Sequence, residues 1–114
     1  MASVDELWST DFGDPFPGEP AFHRPALVIG PPERFGPTFP FAIVVPLTSS
    51  RRGLALHVEI EPGPGTGLDI FSYAQCELVR SINRRRLVHR LGVVSAEVGS
   101  AVRHAGGDGS QSLP

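Results

Sequence analysis

Proline and glycine interrupt this chain so often that no long helix or long strand fits between them. The 114 residues include 12 prolines and 13 glycines, and both residue types mark turns and loops. Residues 13–23, 30–40 and 61–67 are the densest of these interruptions and are predicted to be loops. The apolar pieces between them are short, and none approaches the ~18 residues that a membrane-spanning helix needs. The pattern predicts one small domain built mainly of short strands.

Several segments are predicted strands, because they are rich in β-branched and aromatic residues or alternate apolar with polar positions. They are residues 7–12, 25–29, 41–47, 54–60, one strand within 72–82, and 87–94. Ser95 is suited to cap a helix from Ala96 to about His104. The predicted fold is mainly β with a C-terminal helix, a small and strongly bent β-barrel. The domain is predicted over residues 1–105, and residues 106–114 are predicted to be a disordered tail.

Basic residues are unevenly distributed, although the formal net charge is only −2. Every basic residue is an arginine, and residues 80–90 contain a run of them without any acidic residue. This arginine cluster consists of Arg80, Arg84, Arg85, Arg86 and Arg90. Such a run is ordinarily a solvated face, but it could also form a track for a polyanion.

The single cysteine, Cys76, excludes an internal disulfide and a cysteine-based zinc site. Neither the spacing of the four histidines nor their neighbours suggests a metal site, so no metal and no other cofactor is expected. The N-terminal residues lack the basic and apolar regions of a signal peptide. A cytoplasmic protein is therefore expected.

Four segments, in order along the chain, resemble the motifs of one known protein family. Residues 5–12, DELWSTDF, are similar to the family's opening GD(V/I)WWVDF, and residues 19–29, EPAFHRPALVI, resemble E-x-x-G-x-RPALV. Residues 44–49, VVPLTS, match V(V/A)PLTS, and residues 76–91, CELVRSINRRRLVHRL, resemble CEQIRTIDKSRLxxxL. None of these motifs is specific by itself, but their order and spacing over about residues 5–92 resemble those of the MazF/PemK family of toxins.

The resemblance implies a toxin of a type II toxin–antitoxin system, with an SH3-like barrel of the CcdB/PemK type. It also implies a homodimer that cleaves single-stranded RNA sequence-specifically and without metal, and a cognate acidic, MazE-like antitoxin. The expected target is mRNA, with tRNA and rRNA as alternatives. By position in the motifs, the family's catalytic arginine and threonine fall on Arg24 and Thr48. The active-site glutamate of some members falls on Glu19.

RNA cleavage is chemically compatible with Arg24 and Thr48. The RNA supplies its own nucleophile, the 2′-hydroxyl, so the expected products are a 2′,3′-cyclic phosphate and a 5′-hydroxyl. A guanidinium can hold two phosphate oxygens at once, and a threonine hydroxyl can donate to the phosphorane or orient the 2′-hydroxyl. On local sequence alone, Arg24 would be a surface residue at a strand end and Thr48 a turn residue bonded to its own backbone. Because arginine stays protonated, proton removal is left to Glu19, a histidine or water.

Further side chains are candidates for RNA contacts because of their charge, their aromatic rings or their position beside the motifs. His23 adjoins Arg24, and His57 lies on the polar face of its predicted strand. A phenylalanine of the first loop could stack on a base or close the end of the barrel. His89 and His104 are expected to be surface residues. The predicted RNA contacts are His23, Phe16, Ser49, Arg51, His57, Glu77, Arg80, Arg84, Arg85 and Arg86.

Two other functions are compatible with the same motifs. A CcdB-like toxin shares the barrel and binds gyrase without being an enzyme, and a fold does not by itself decide function. The Arg24–Thr48 pair favours the nuclease, because a gyrase-binding toxin does not need it. A degenerate family member that only binds antitoxin is the other alternative, and Leu78, which stands where the family has glutamine, hints at it. Asp5 and Glu6 replace the glycine and aspartate of the first motif.

Overall fold

Seven antiparallel strands and one C-terminal helix are present in a computed structural model, which describes residues 2–14, 16–17, 22–31, 35–36 and 38–106. The strands are β1 (Glu6–Asp11), β2 (His23–Gly30), β3 (Phe41–Thr48), β4 (His57–Ile60), β5 (Ser72–Gln75), β6 (Arg80–Asn83) and β7 (Leu87–Val93). The helix is α1 (Ala96–Gly106), and short 3₁₀ turns at Cys76–Leu78 and Arg84–Arg86 flank β6. The predicted mainly-β fold with a C-terminal helix is confirmed.

The sheet bends at β3, which changes partner along its length. The strand order is β4-β5-β3-β2-β1-β7, and β6 also pairs with β3. On one edge β3 pairs with β2, while on the other it pairs with β6 as far as Val44 and with β5 from Leu47. Pro46 has no N–H to donate to a ladder and lies where the partner changes. This change of partner, from β6 to β5, bends the sheet so that its two ends, β4 and β7, approach each other.

Residues 63–68 join the two edges of the sheet. The backbone N–H of Val93 donates to the carbonyl of Gly65 (3.0 Å), and Gly67 lies against the backbone of Leu91. Gly67 has a φ of +72°, and a Cβ there would collide with the Leu91 carbonyl, so only glycine fits. The segment that follows β4 is thereby attached to β7, and the barrel is closed.

Both faces of β2 and β3 are buried, which explains why their sequences are continuous apolar runs and not alternating ones. One face lies in the barrel interior, where Leu27 and Leu47 pack in the same core as Val102 of α1. The opposite face forms a second core with Phe12, Ala26, Val28, Ala42, Val44 and Ile82. The two strands are therefore held in place from both sides.

Asp5 connects the start of the chain to α1. It has a φ of +74°, in the left-handed region that aspartate tolerates better than most residues. Its carboxylate accepts a hydrogen bond from Arg103 Nη1 (2.5 Å), so the departure from glycine in the first motif gains an ion pair. Ser95 is confirmed as the helix cap, because its Oγ accepts from the Val98 N–H (3.1 Å). The helix ends at Gly106, two residues later than predicted.

Three strand predictions are wrong in their bounds. β2 runs from His23 to Gly30 and not from residue 25 to 29, so it includes the ends of both predicted loops beside it. β4 begins at His57 and not at residue 54, because β5 has four residues and pairs only with His57–Ile60. The segment 72–82 holds two strands, since the turn at Cys76–Leu78 separates β5 from β6. The predicted tail lies outside the described residues except for Gly106, and Glu19 lies outside them too. Within the described ranges, no helix has the length and apolar character needed to cross a membrane.

Candidate active site

An open cleft of about 590 Å³ lies at the mouth of the barrel, where β1, β2, β3 and β7 meet the segment that follows β4. Its apolar lining consists of Pro25, Leu47, Leu68, Ile70 and Leu91. Its polar lining consists of Ser9, His23, Arg24, Thr48, Ser49, Ser50, Asp69, Ser72 and His89. The structure therefore brings the two predicted catalytic residues, Arg24 and Thr48, into one cavity, although they are far apart in the sequence.

Arg24 is the second residue of β2 and is partly buried. Its backbone is held by pairing with Thr10 of β1, and the next residue, Pro25, lines the same cleft. Within the described part of the chain, its guanidinium makes no hydrogen bond or ion pair. A cation that is anchored through its strand and has unsatisfied donors is suited to bind phosphate oxygens.

Thr48 is the last residue of β3, where it pairs with Tyr73 of β5. Its Oγ1 accepts a hydrogen bond from the backbone N–H of Ser50 (3.2 Å). This is the local turn bond expected of a threonine at such a position. It uses the hydroxyl only as an acceptor, so the hydroxyl hydrogen remains able to donate. The bond therefore orients Thr48 without preventing a contact with the substrate.

His89 is the most informative residue of the cleft that the sequence prediction missed. It is exposed, as predicted for a surface residue, but it also lines the cleft. Its cross-strand partner, Ser9 of β1, lines the cleft as well. The available sequence signal was that His89 lies within the fourth motif, but the pairing of strands was needed to place it at the cleft. Ser9, Asp69 and Ser72 line the cleft without any comparable signal in the motifs.

His57 and Glu77 form a pair beside the cleft. His57 Nε2 lies 2.9 Å from Glu77 Oε2, and the histidine side chain is only 3% exposed. Burial, the largest influence, raises the pKa of Glu77, but hydrogen bonds from His57 and the backbone and the charges of His57 and Arg52 outweigh it. The pKa of Glu77 is therefore lowered from its ordinary value, and the carboxylate is ionised at neutral pH. Among the described residues, His57 Nδ1 is buried without a partner.

The depression above this pair adjoins the cleft. It has a volume of about 320 Å³ and is lined by Arg51, Arg52 and Tyr73 together with His57. Ser49 and Ser50 line the cleft, and the two arginines that follow them line the depression. Of the predicted RNA contacts, Arg51 and His57 line this depression. Glu77 is hydrogen-bonded to His57.

The arginine cluster does not line the cleft. Arg84 donates from Nε to the carbonyl of Phe39 (2.7 Å) and from Nη1 to that of Ala2 (3.3 Å), so it anchors backbone. Arg86 donates to the Asp11 carbonyl (3.2 Å) and, like Arg80, lines a separate hollow of about 410 Å³. The guanidinium of Arg80 lies 5.9 Å from the centre of the Phe12 ring, Arg90 pairs with Glu6, and Arg85 is exposed. Of the five arginines, Arg80 and Arg86 therefore share one hollow, while Arg84 and Arg90 are engaged by other groups of the protein.

The remaining predicted site residues are Phe16 and Glu19. Phe16 is 77% exposed, in the first loop. Glu19, the predicted active-site glutamate, lies outside the described residues. In the part of the chain that the structure describes, no three histidine, cysteine, aspartate or glutamate side chains are grouped so that they could hold a metal ion.

The fold is similar to those of several solved toxin structures. MazF (Form-I) from Deinococcus radiodurans matches with a TM-score of 0.78 and 24% identity, covering 93% of both chains. An endoribonuclease from a mycobacterial species, solved in complex with its cognate antitoxin, matches with a TM-score of 0.74 and 16% identity over the whole of both chains. A structure named as an Mtb toxin matches with a TM-score of 0.63 and 28% identity, covering 75% of this chain and 90% of that chain.

The sequence comparisons agree with the fold. A protein of Mycolicibacterium smegmatis described as a probable endoribonuclease MazF is 36% identical over 69 residues. That match covers 60% of this chain and 62% of the relative, less than two thirds of the relative's length. Residues 4–105 match the sequence model of a family described as PemK-like, MazF-like toxins of type II toxin–antitoxin systems. Because that match covers nearly the whole chain, the protein belongs to the PemK-like, MazF-like toxin family.

Proposed function

We propose that this toxin is a sequence-specific endoribonuclease that cleaves single-stranded RNA in the cytoplasm, without a metal ion. The observation that carries the proposal is the presence of Arg24 and Thr48 in one open cleft. The kinship with a probable endoribonuclease MazF supports it. The proposed substrate is mRNA, with tRNA and rRNA as alternatives.

In the proposed reaction the 2′-hydroxyl of the RNA attacks the adjacent phosphorus. Arg24 binds the two non-bridging oxygens and stabilises the charge that develops on them. Thr48 orients the 2′-hydroxyl, while Glu19 remains a candidate to accept its proton. The bond from phosphorus to the 5′-oxygen breaks, which leaves a 2′,3′-cyclic phosphate and a 5′-hydroxyl. The positive charge that this step requires comes from the guanidinium.

The hollows beside the cleft suggest how neighbouring nucleotides are held. His23 and Ser49 line the cleft itself and are placed to contact the nucleotides at the reacting phosphate. Arg51, two residues after Ser49, lines the adjoining depression above the His57–Glu77 pair. We assign Phe16, whose side chain is largely exposed, to stacking on a base, which is how proteins commonly hold unpaired RNA. We assign Arg80, Arg85 and Arg86 at most to distant phosphates, and Arg84 to holding the fold.

The test is cleavage of a long unstructured RNA by the purified protein in excess EDTA. We expect cleavage at the rate seen with magnesium, at a restricted set of sequences, because the assigned residues need no ion. The downstream products should accept phosphate from a polynucleotide kinase directly, which identifies a 5′-hydroxyl. Activity lost in EDTA and restored by magnesium would contradict the mechanism. Intact RNA together with inhibition of gyrase would indicate a CcdB-like toxin instead.

We also propose that the protein acts as a homodimer. Phe35, Phe39 and Phe41 form an edge-to-face cluster with ring centres 4.9 and 6.1 Å apart, and the first and last of them are about half exposed. Exposed apolar surface of this kind is commonly covered by a second copy in a two-fold pair. Two adjoining clefts would make a longer groove for RNA. Light scattering at micromolar concentration should give twice the 12.2 kDa mass of the chain, and a monomer would contradict the pairing.

An acidic, MazE-like antitoxin is the proposed partner. A cytoplasmic ribonuclease without an inhibitor would be lethal to its cell. MazF from Deinococcus radiodurans has been solved together with MazE, and the mycobacterial endoribonuclease with its cognate antitoxin. The same guanidinium groups that bind phosphate also bind carboxylate, so an acidic peptide suits the cleft and the arginines beside it.

A further inference from the structure

His89 lines the same cleft as the assigned catalytic pair but lies on a different strand of its wall. It lies near the middle of β7 and pairs with Ser9 of β1, which also lines the cleft. Directly paired residues of neighbouring strands share a face of the sheet, so the His89 side chain lies on the same face as that of Ser9. It is exposed and makes no hydrogen bond or ion pair within the described residues. The imidazole ring of His89 therefore faces the space where RNA is proposed to react, although the proposed reaction does not yet assign it a role.

The order of the strands places His89 opposite Thr48. Along the sequence of neighbours β3-β2-β1-β7, Thr48 is on β3, Arg24 on β2 and His89 on β7. Neighbouring strands are about 4.8 Å apart, so the backbones of Thr48 and His89 would be about 14 Å apart on a flat sheet, and closer on a bent one. In this order Arg24 lies between the other two residues, so the proposal places a phosphate bound by Arg24 in the shared cleft between Thr48 and His89. The side chains of a threonine and a histidine can reach such a phosphate from its two sides.

Cleavage of RNA requires this kind of opposition. The attacking oxygen and the leaving oxygen lie roughly in line on opposite sides of phosphorus. If Thr48 orients the 2′-hydroxyl from β3, the 5′-oxygen points towards β7. That oxygen must gain a proton as its bond to phosphorus breaks. Arginine does not release protons, whereas imidazole is the side chain that ordinarily exchanges them near neutral pH.

We propose that His89 is a catalytic residue, the general acid that protonates the leaving 5′-oxygen. The bond between the 2′-oxygen and phosphorus forms while the bond between phosphorus and the 5′-oxygen breaks. The imidazolium of His89 gives its proton to the 5′-oxygen, and the proton of the 2′-hydroxyl passes to Glu19 or to solvent. The neutral ring regains a proton from solvent once the products leave. The inference rests on the proposed ribonuclease function and adds a residue to it.

The experiment compares two RNA substrates that differ in the leaving atom at a mapped cleavage site. One has the normal 5′-oxygen and the other has sulfur in its place, which leaves as a thiolate and needs no proton. We expect His89→Gln to cleave the oxygen substrate about 10²–10⁴-fold more slowly than the wild type, the usual contribution of a general acid. On the sulfur substrate the variant should match the wild type. His104→Gln, on α1 and outside the cleft lining, is the matched control and should match the wild type on both.

The outcomes separate this inference from the function on which it rests. If the wild type cleaves neither substrate, the ribonuclease proposal fails. If the wild type cleaves both and His89→Gln is equally fast on the oxygen substrate, His89 is not the acid and the ribonuclease proposal stands. The inference is also overturned if His89→Gln is slower than the wild type by the same factor on both substrates, because such a defect does not depend on protonating the leaving group. Circular dichroism and binding of an RNA with a 2′-deoxy residue at the cleavage site check folding and affinity.

Discussion

Replacing Arg24 or Thr48 by alanine is expected to slow RNA cleavage by roughly 10²–10³-fold, which is the usual cost of removing one donor aimed at developing charge. Arg24→Ala removes a guanidinium that has no other partner among the described residues. Thr48→Ala removes the hydroxyl that the Ser50 N–H orients. Neither side chain belongs to the barrel core, so both variants should fold. Single-turnover cleavage rates with saturating protein are the measurement.

Conservative variants distinguish a specific catalytic role of each side chain from a general effect of its charge. Thr48→Ser keeps a hydroxyl and should recover most of the rate, whereas Arg24→Lys keeps a charge but cannot hold two oxygens and should remain slow. Arg90→Ala removes the same charge from an exposed pair with Glu6, outside the cleft, and should cleave normally. Near wild-type rates for both alanine variants would place the active site elsewhere.

Antitoxin and RNA are expected to exclude each other, so that a saturating antitoxin abolishes cleavage. An acidic disordered tail with apolar anchors would fold onto the cleft and the depression beside it. Its affinity should fall as salt rises, since exposed charges are screened. Arg51→Gln should weaken binding of both the antitoxin and an uncleavable RNA, whereas Arg90→Gln, an equal change of charge outside both hollows, should affect neither. Simultaneous binding of RNA and antitoxin would refute direct competition.

The bounds of β4 show what sequence patterning can and cannot decide. Leu54 and Leu56 continue the alternation of the strand, yet they are 49% and 46% exposed. The alternation predicts a face but not a partner, and β5 is only four residues long. A strand can extend no further than the backbone that pairs with it. The division of residues 72–82 into two strands has the same origin, because it depends on where β3 changes its partner.

In the active site, too, some residues can be assigned from local sequence motifs, whereas others depend on how distant strands pair. Arg24 and Thr48 could be assigned because each belongs to a motif, and the structure places both in the cleft. His89 lies in no motif position with an assigned role, and its importance depends on the strand order that sets β7 against the cleft. The arginine cluster shows the opposite case. Its residues are close in sequence, but none of them lines the cleft, Arg84 is engaged by backbone carbonyls, and Arg90 pairs with Glu6.

The double burial of β2 and β3 bears on how toxins of this kind could diversify. Arg24 and Thr48 stand at the ends of two strands that are packed on both faces, so their spacing is insensitive to changes outside the cores. Arg51 and Phe16 stand in the segments between strands, where substitutions and insertions are tolerated best. A lineage could therefore acquire a new target sequence by altering its loops, without having to evolve the cleavage chemistry again.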